Sequence, residues 1–425
     1  MRVKILQNFI DILRGKKKIP RSIEYEIKHV QKNINKLKKK LAKKIKNGEK
    51  IRVGFFVIFD SVFQAEPVFK KMLDDDMFEP FIVVIPDIAR GDDNMFKQMN
   101  KTYKSFSSKY KQVYKSYDET EHKFIDFTKD TDIAFFNNPY DGMTYKFYGI
   151  AYNALHNVLT LYSSYSVLLT RYSVKHIISQ KSMDYCWKIF ADNQWHLNKI
   201  KEHSFLKGSN AVLTGCCKMD AISKAEKKER TRKKIIIAPH HSVNANGLGI
   251  ANFLNYSEFF LELPKKYPEI DFVFRPHPLL FVTLSKSEFW GKEKVKQYLD
   301  KMCENPNVEY QDGGSYFDTF VNSDGIIHDC CSFLLEYLYT DNPCCYILAN
   351  KNNESDIFEE IGQDALKHYY KSYSEQDIID FIDNIIIKDN DTKKDERTKF
   401  ANEVLKINYP NVSEKIIDYI KKELA

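Results

Sequence analysis

KIIIAPHH, residues 234–241, is the stretch on which the architecture turns. Three isoleucines and an alanine stand in a row, without the polar alternation of a strand that has one wet face. Such a run predicts a strand buried on both faces, as in a parallel sheet. Pro239 stops it, and His240 and His241 stand just past its carboxyl end. The pattern recurs downstream in IDFVFRPHP (270–278) and GIIHDCCS (325–332). Helical patterns at 256–266, 292–303, 315–321 and 333–339 separate these runs, with further short strands at 308–310 and 344–348. Strands alternating with helices define an α/β unit with a parallel sheet.

Upstream lies a second unit of the same kind. Strands are predicted at 51–58, 81–86, 113–116, 132–136, 157–161 and 211–214. Helices are predicted at 66–73, 94–110 and across 180–207. Pro67 suits the first turn of its helix. KAEKKERTRK (224–233) has one apolar residue and reads as a surface connection between the units. The predicted organisation is a basic extension over 1–50, a first unit over 51–223, a second over 234–388 and a helical tail over 389–425.

A chain of 425 residues with 43% apolar and 14% aromatic side chains has material for about two to three cores, which excludes disorder as its main state. No apolar run reaches the roughly 18 residues of a membrane span. Residues 1–14 are broken by Gln7, Asn8 and Asp11 and read poorly as a signal peptide. Six of the eight cysteines form adjacent pairs, and no Cys-x-x-Cys occurs. They read as small buried thiols of a reducing compartment, which points to the cytoplasm.

The net charge of +7 is uneven, because residues 1–50 hold 17 basic and 4 acidic side chains. Ile23, Ile27, Val30, Ile34, Leu37 and Leu41 form one apolar stripe at helical spacing, with lysines on the other faces. Two readings of residues 22–46 stand side by side. One is an interfacial helix on an anionic membrane, attached at the inner face of the cell membrane. The other is a helix docked on the body of the protein with a solvated basic face. Nucleic acid is disfavoured, since few aromatics interleave with the lysines.

In an open parallel sheet, ligands collect at the carboxyl ends of the strands. His240, His241, His277, His328, Arg275 and Asp329 all fall there. The Asp329–Ser332 corner joins a strand to a helix, so the amides of Cys331, Ser332 and Phe333 are expected to open toward an anion, with capping by Asp329 or Ser332 as the plain alternative. Glu336, one turn further, is placed to accept hydrogen bonds from a ribose. The Asn246–Gly249 loop lacks the full dinucleotide fingerprint, and Asp74–Asp76 reads as a solvated turn. Neither a metal nor a cofactor is expected.

At these residues the second unit, 234–348, resembles the nucleotide-binding half of the CDP-glycerol glycerophosphotransferases, the teichoic-acid primases and polymerases. The family's Arg-x-His-Pro matches Arg275-Pro276-His277-Pro278. Its Ser-Asp-(apolar)-Asp-Tyr-Ser-Ser element, with an acid seven residues after the second Asp, matches Ser323-Asp324, Asp329-Cys330-Cys331-Ser332 and Glu336. The family's His-Gly-Thr-Pro stretch corresponds to 161–166, which has no histidine. Its Ala-Pro-Thr-x-Arg is here Ala238-Pro239-His240-His241-Ser242.

The resemblance implies a GT-B fold, with two Rossmann-like domains facing a cleft. It implies transfer of glycerol phosphate, or a similar alditol phosphate, from a CDP-activated donor to a polymer or lipid-linked hydroxyl acceptor in surface-polymer synthesis. Arg275, His277, His328, Asp329, Cys331, Ser332 and Glu336 would hold the donor. With the family's first-unit histidine missing, His240 or His241 takes the place of the base. Asp60, Ser61 and Glu66 are positional candidates for the acceptor side. Sugar transfer from a nucleotide sugar, epimerisation of one, or a non-catalytic membrane-associated scaffold are the alternatives.

Overall fold

A computed structural model describes residues 21–243, 249–348 and 354–425. The first unit is built on β1 (Ile51–Val57), β2 (Phe78–Val84) and β3 (Val113–Lys115), followed by a small hairpin of β4 (Tyr117–Asp118) and β5 (Lys123–Phe124). β6 (Ile133–Phe136), β7 (Leu159–Ser163), β8 (Lys188–Ala191) and β9 (Ala211–Leu213) complete it. Seven of these form a parallel sheet in the order β3-β2-β1-β6-β7-β8-β9. The second unit has β10 (Lys234–Ala238), β11 (Asp271–Phe274), β12 (Val308–Tyr310), β13 (Gly325–His328), β14 (Cys344–Ile347) and β15 (Tyr370–Ser372). Its parallel order, β12-β11-β10-β13-β14-β15, is that of a doubly wound dinucleotide-binding sheet.

Burial on both faces explains the apolar runs. In β1, Val53, Phe55 and Val57 enter one core while Phe56 points into the other. In β10, Ile236 and Ala238 face one side, and Ile235 and Ile237 the other.

The helical expectation over 180–207 is corrected. A 3-10 turn at Lys181–Tyr185 leads into β8, and the helix is confined to Gln194–His203. Asn193 caps that helix, its side chain accepting from the His196 amide at 2.9 Å. β15 and the helix Glu360–Lys367 had no counterpart in the sequence reading. The 157–161 strand slides to Leu159–Ser163, because Asn157 takes a left-handed φ of 66° that ends the preceding helix.

The basic segment forms one helix, Arg21–Lys46, docked on the first unit. Ile34 and Leu41 join one core of the sheet, Ile27 and Val30 the other. Lys44 pairs with Asp132 at 2.8 Å and Lys38 with Glu423 at 2.9 Å. The apolar stripe is therefore covered by protein in this structure, and only the lysine face is left to other partners. Leu41→Ala is expected to destabilise the protein by about 3 kcal/mol, the usual range for a buried leucine. Chemical denaturation checks this; an unchanged midpoint would mean the helix is not docked.

The tail divides. Phe400, Ala401 and Leu405 enter a core of the second unit. The last helix, Val412–Leu424, returns to the first unit through Val412, Ile416, Ile420 and Leu424. Asp220 anchors the start of that helix, accepting from the amides of Val412 (3.1 Å) and Ser413 (2.7 Å). Gly215 makes the crossing possible. Its φ is +94°, and a Cβ there would sit 2.1 Å from the Ile407 carbonyl oxygen. Gly215→Ala is expected to cost about 3 kcal/mol from forced φ and backbone clash together, read as a lower unfolding midpoint. Among the described residues, no helix is long and apolar enough to cross a membrane.

Candidate functional site

β10 and β13 are neighbours at the centre of the second sheet, where the winding order reverses. The crevice beyond such a switch point is the ligand position of this architecture. Three strand ends deliver side chains to it: His240 and His241 after β10, Arg275 and His277 after β11, and Asp329 to Ser332 after β13.

The three histidines that follow β10 and β11 come together. Ring centroids lie 4.4 Å apart for His240–His241, 4.2 Å for His241–His277 and 5.2 Å for His240–His277. Burial keeps all three below the ordinary histidine range, His277 down to about 3, so each imidazole is neutral at pH 7. The Nδ1 of His240 lies 2.9 Å from the Ser242 hydroxyl, and that of His277 accepts the Leu279 amide at 3.1 Å. Both rings therefore leave Nε2 for a ligand.

Asp329 is 1% exposed and shapes the site without lining it. Its carboxylate accepts from the His240 amide (2.6 Å), the Asn252 amide (2.6 Å) and the Asn252 side chain (3.3 Å). Burial raises its pKa to about 6 against these hydrogen bonds. It thereby ties the turn after β10 to the end of β13. It does not cap the helix that starts at Cys331, two residues earlier than the sequence indicates; Cys330 holds the cap position without a side-chain capping bond, its thiol donating instead to the Ala238 carbonyl at 3.2 Å. Cys331 and Ser332 are half-buried in its first turn.

Two expected donor contacts are corrected. His328 is fully buried beneath the site, 5.1 Å from the Tyr346 ring and 5.6 Å from that of Tyr369. Its Nδ1 accepts the Cys330 amide, its Nε2 has no partner, and burial holds its pKa at about 3. Glu336 is also fully buried, with both oxygens engaged, one by Lys218 at 2.7 Å and the other by the Tyr316 hydroxyl. Its burial leaves neither oxygen open to a ribose.

Arg275 differs from every other charge in the crevice. It is 5% exposed, yet its guanidinium bonds only neutral acceptors, the Gln311 side chain at 2.7 Å and the Gly314 carbonyl. No carboxylate pairs with it among the described residues. The Tyr316 ring lies between two cations, 5.6 Å from Arg275 and 5.0 Å from Lys218. Asp312 and Glu309 act on Arg275 only from beyond bonding distance, and a buried cation with no bonded counter-charge is costly unless a ligand supplies one.

On the acceptor side, Ser61 is exposed and Asp60 half-exposed in a turn after β1. Glu66 is engaged by the Tyr110 hydroxyl and Lys70, and so acts within the first unit. Two further side chains past strand ends of the first unit come near the site without having stood out in the sequence. Arg90, past β2, lies close enough to His241 to lower its pKa further. Tyr165, past β7, has Cys331 among its electrostatic neighbours and bonds Tyr140 at 3.5 Å between hydroxyls. Lys218 and Tyr316 carried no motif. Residues 244–248, with most of the Asn246–Gly249 loop, lie outside the described residues.

No protein-family model matches the chain, and no curated protein does. Solved structures do match, and they define the fold as GT-B. A variant of the wall teichoic acid polymerase TagF soaked with CDPG superposes with a TM-score of 0.57 at 11% identity, over 96% of this chain and 98% of that one. A UDP-GlcNAc 2-epimerase from Neisseria meningitidis, bound to UDP-GlcNAc, gives 0.55 at 14% identity over 88% and 100%. The MnaA–UDP structure from S. aureus gives 0.53 at 14% identity over 88% and 97%. These neighbours are enzymes of nucleotide-activated substrates, and at such identities the likeness shows the fold.

Proposed function

We propose that this protein is a transferase that takes glycerol phosphate, or a similar alditol phosphate, from a CDP-activated donor and passes it to a hydroxyl acceptor in surface-polymer synthesis. The observation that carries the reading is the buried guanidinium of Arg275, past β11 beside the switch point of the second sheet, with no carboxylate bonded to it. A pyrophosphate supplies the missing charge, and a bidentate guanidinium suits its oxygens. His277, Ser332 and the amides of the Cys331 turn add neutral donors beside it.

The acceptor oxygen attacks the donor's β-phosphorus in line. The bond from that phosphorus to the bridging oxygen breaks, CMP leaves with the electron pair, and the hydroxyl proton passes to a base. Catalysis of such a transfer rests on positioning and on donors aimed at phosphate oxygens.

The UDP-bound neighbours favour a second reading, an enzyme acting on a UDP-sugar at carbon. Thermal melting with CDP, CMP, UDP and GDP, then product mass with the donor of the preferred base, separates the two. Stabilisation by CDP and an acceptor heavier by one alditol phosphate is the expected result. Stabilisation by UDP alone, with sugar transfer or epimerisation, would replace the first reading by the second.

A further inference from the structure

The helix Arg21–Lys46 holds nine lysines and one arginine against two glutamates, and both acids are engaged. Glu24 pairs with Lys28 at 2.6 Å, and Glu26 accepts from the Tyr185 hydroxyl at 2.6 Å. With Ile27, Val30, Ile34 and Leu41 turned into the cores of the first unit, the opposite side of the helix presents Lys28, Lys32, Lys36, Lys39, Lys43 and Lys46. All six are exposed and follow one another at spacings of three or four residues, a basic stripe about 27 Å long. Among the described residues, no carboxylate pairs with any of them except Lys28. Like charges at this spacing repel, so the stripe weakens the free fold and an anionic partner relieves it.

The helix also has a definite place. Asn33 bonds Asn157 at 2.6 Å, Gln31 bonds the Cys186 carbonyl at 3.3 Å, and Lys44 pairs with Asp132 at 2.8 Å. Those three partners stand just before β7, β8 and β6. The helix therefore crosses the amino ends of the strands, whereas the donor crevice lies at carboxyl ends. Its exposed lysines take no part in holding a donor phosphate.

We propose that this stripe docks the protein on an anionic lipid surface by electrostatic attraction, without insertion of the helix. A convex rod offers no groove to a strand of nucleic acid, and its exposed rings, Tyr25 and His29, stand together at one end, too few for base stacking. A row of point charges on a straight rod instead matches a plane of headgroups, where each lysine near the surface strengthens binding about five-fold. The apolar stripe that would enter the lipid is already covered by the first unit, which separates this mode from an interfacial amphipathic helix. The proposal is independent of the donor reading and leaves the crevice open to its substrates.

The test is sedimentation of the full-length protein with vesicles of phosphatidylcholine alone and of phosphatidylcholine with about one-third phosphatidylglycerol. Binding is expected to the anionic vesicles only, and is expected to vanish as salt is raised to about 1 M, where the screening length falls to about 3 Å. Lys32→Gln, Lys36→Gln, Lys39→Gln and Lys43→Gln combined are expected to weaken it at least about 100-fold, with a melting midpoint at or above that of the parent. No binding to anionic vesicles overturns the proposal, as does equal binding to neutral ones. Binding that survives high salt would mean insertion of an apolar segment, and binding that the variant retains would place the contact outside this helix; either result overturns it as well. Displacement from the vesicles by a duplex oligonucleotide at equal phosphate concentration would assign the stripe to nucleic acid instead.

Discussion

Arg275→Met is expected to abolish stabilisation by nucleotide while leaving the unliganded protein as stable as the parent, or more so. The two effects have opposite signs because one residue serves the ligand at the expense of the fold. In the unliganded state the guanidinium is buried with neutral partners only. Its desolvation costs several kcal/mol, which two hydrogen bonds from a charged group, about 1.5–3 kcal/mol each, at best balance. Methionine fills much of the same volume without the charge. In the complex, loss of a buried charge partner weakens binding by about 2–5 kcal/mol, roughly 30-fold to several thousand-fold. Melting curves of parent and variant, with and without CDP, give both numbers. A variant that melts far below the parent would make Arg275 a structural residue.

Lys218→Met is expected to act in the opposite way, through the fold. Lys218 follows β9, the first unit's last strand, and Glu336 belongs to the second, so their 2.7 Å contact ties the two. The lysine side chain is 9% exposed and the glutamate not at all. Removing the lysine strands a buried carboxylate, which typically costs about 3–5 kcal/mol. Adding Glu336→Gln removes the stranded charge, and the double variant is expected to recover most of the loss. A double-mutant cycle by chemical denaturation measures this coupling. Additive losses would show that the two side chains do not interact.

Much of this was legible in the sequence, for physical reasons. Apolar runs ended by Pro-His or Asp-Cys mark strands buried on both faces, and their ends are where a parallel sheet gathers ligands. His240, His241, Arg275 and His277 were found this way. His328 was misplaced because one residue decides whether a side chain stands in the strand or past it. It is still inside β13, paired with Tyr346 in the sheet, and both faces of that strand are packed, whereas His240 and His277 lie beyond the last residue of their strands. β8 was missed because four residues, Lys188–Ala191, cannot display a period of two. The sequence spacing of Glu336 gave no notice of Lys218, 118 residues earlier, or of Tyr316, whose contacts occupy both its oxygens. Contacts of that kind are written in the tertiary structure, whereas a strand end is written locally. The apolar stripe of Arg21–Lys46 was read correctly as a stripe, and nothing local told whether lipid or protein would cover it.

The central claim is that a nucleoside diphosphate lies where β10 and β13 end, with its phosphates on Arg275. A crystal of the protein soaked with CDP tests it most directly. The account predicts pyrophosphate density within hydrogen-bonding distance of the Arg275 guanidinium, beside His277 and the first turn at Cys331. Nucleotide density elsewhere, with Arg275 still bonded only to Gln311 and Gly314, would contradict it.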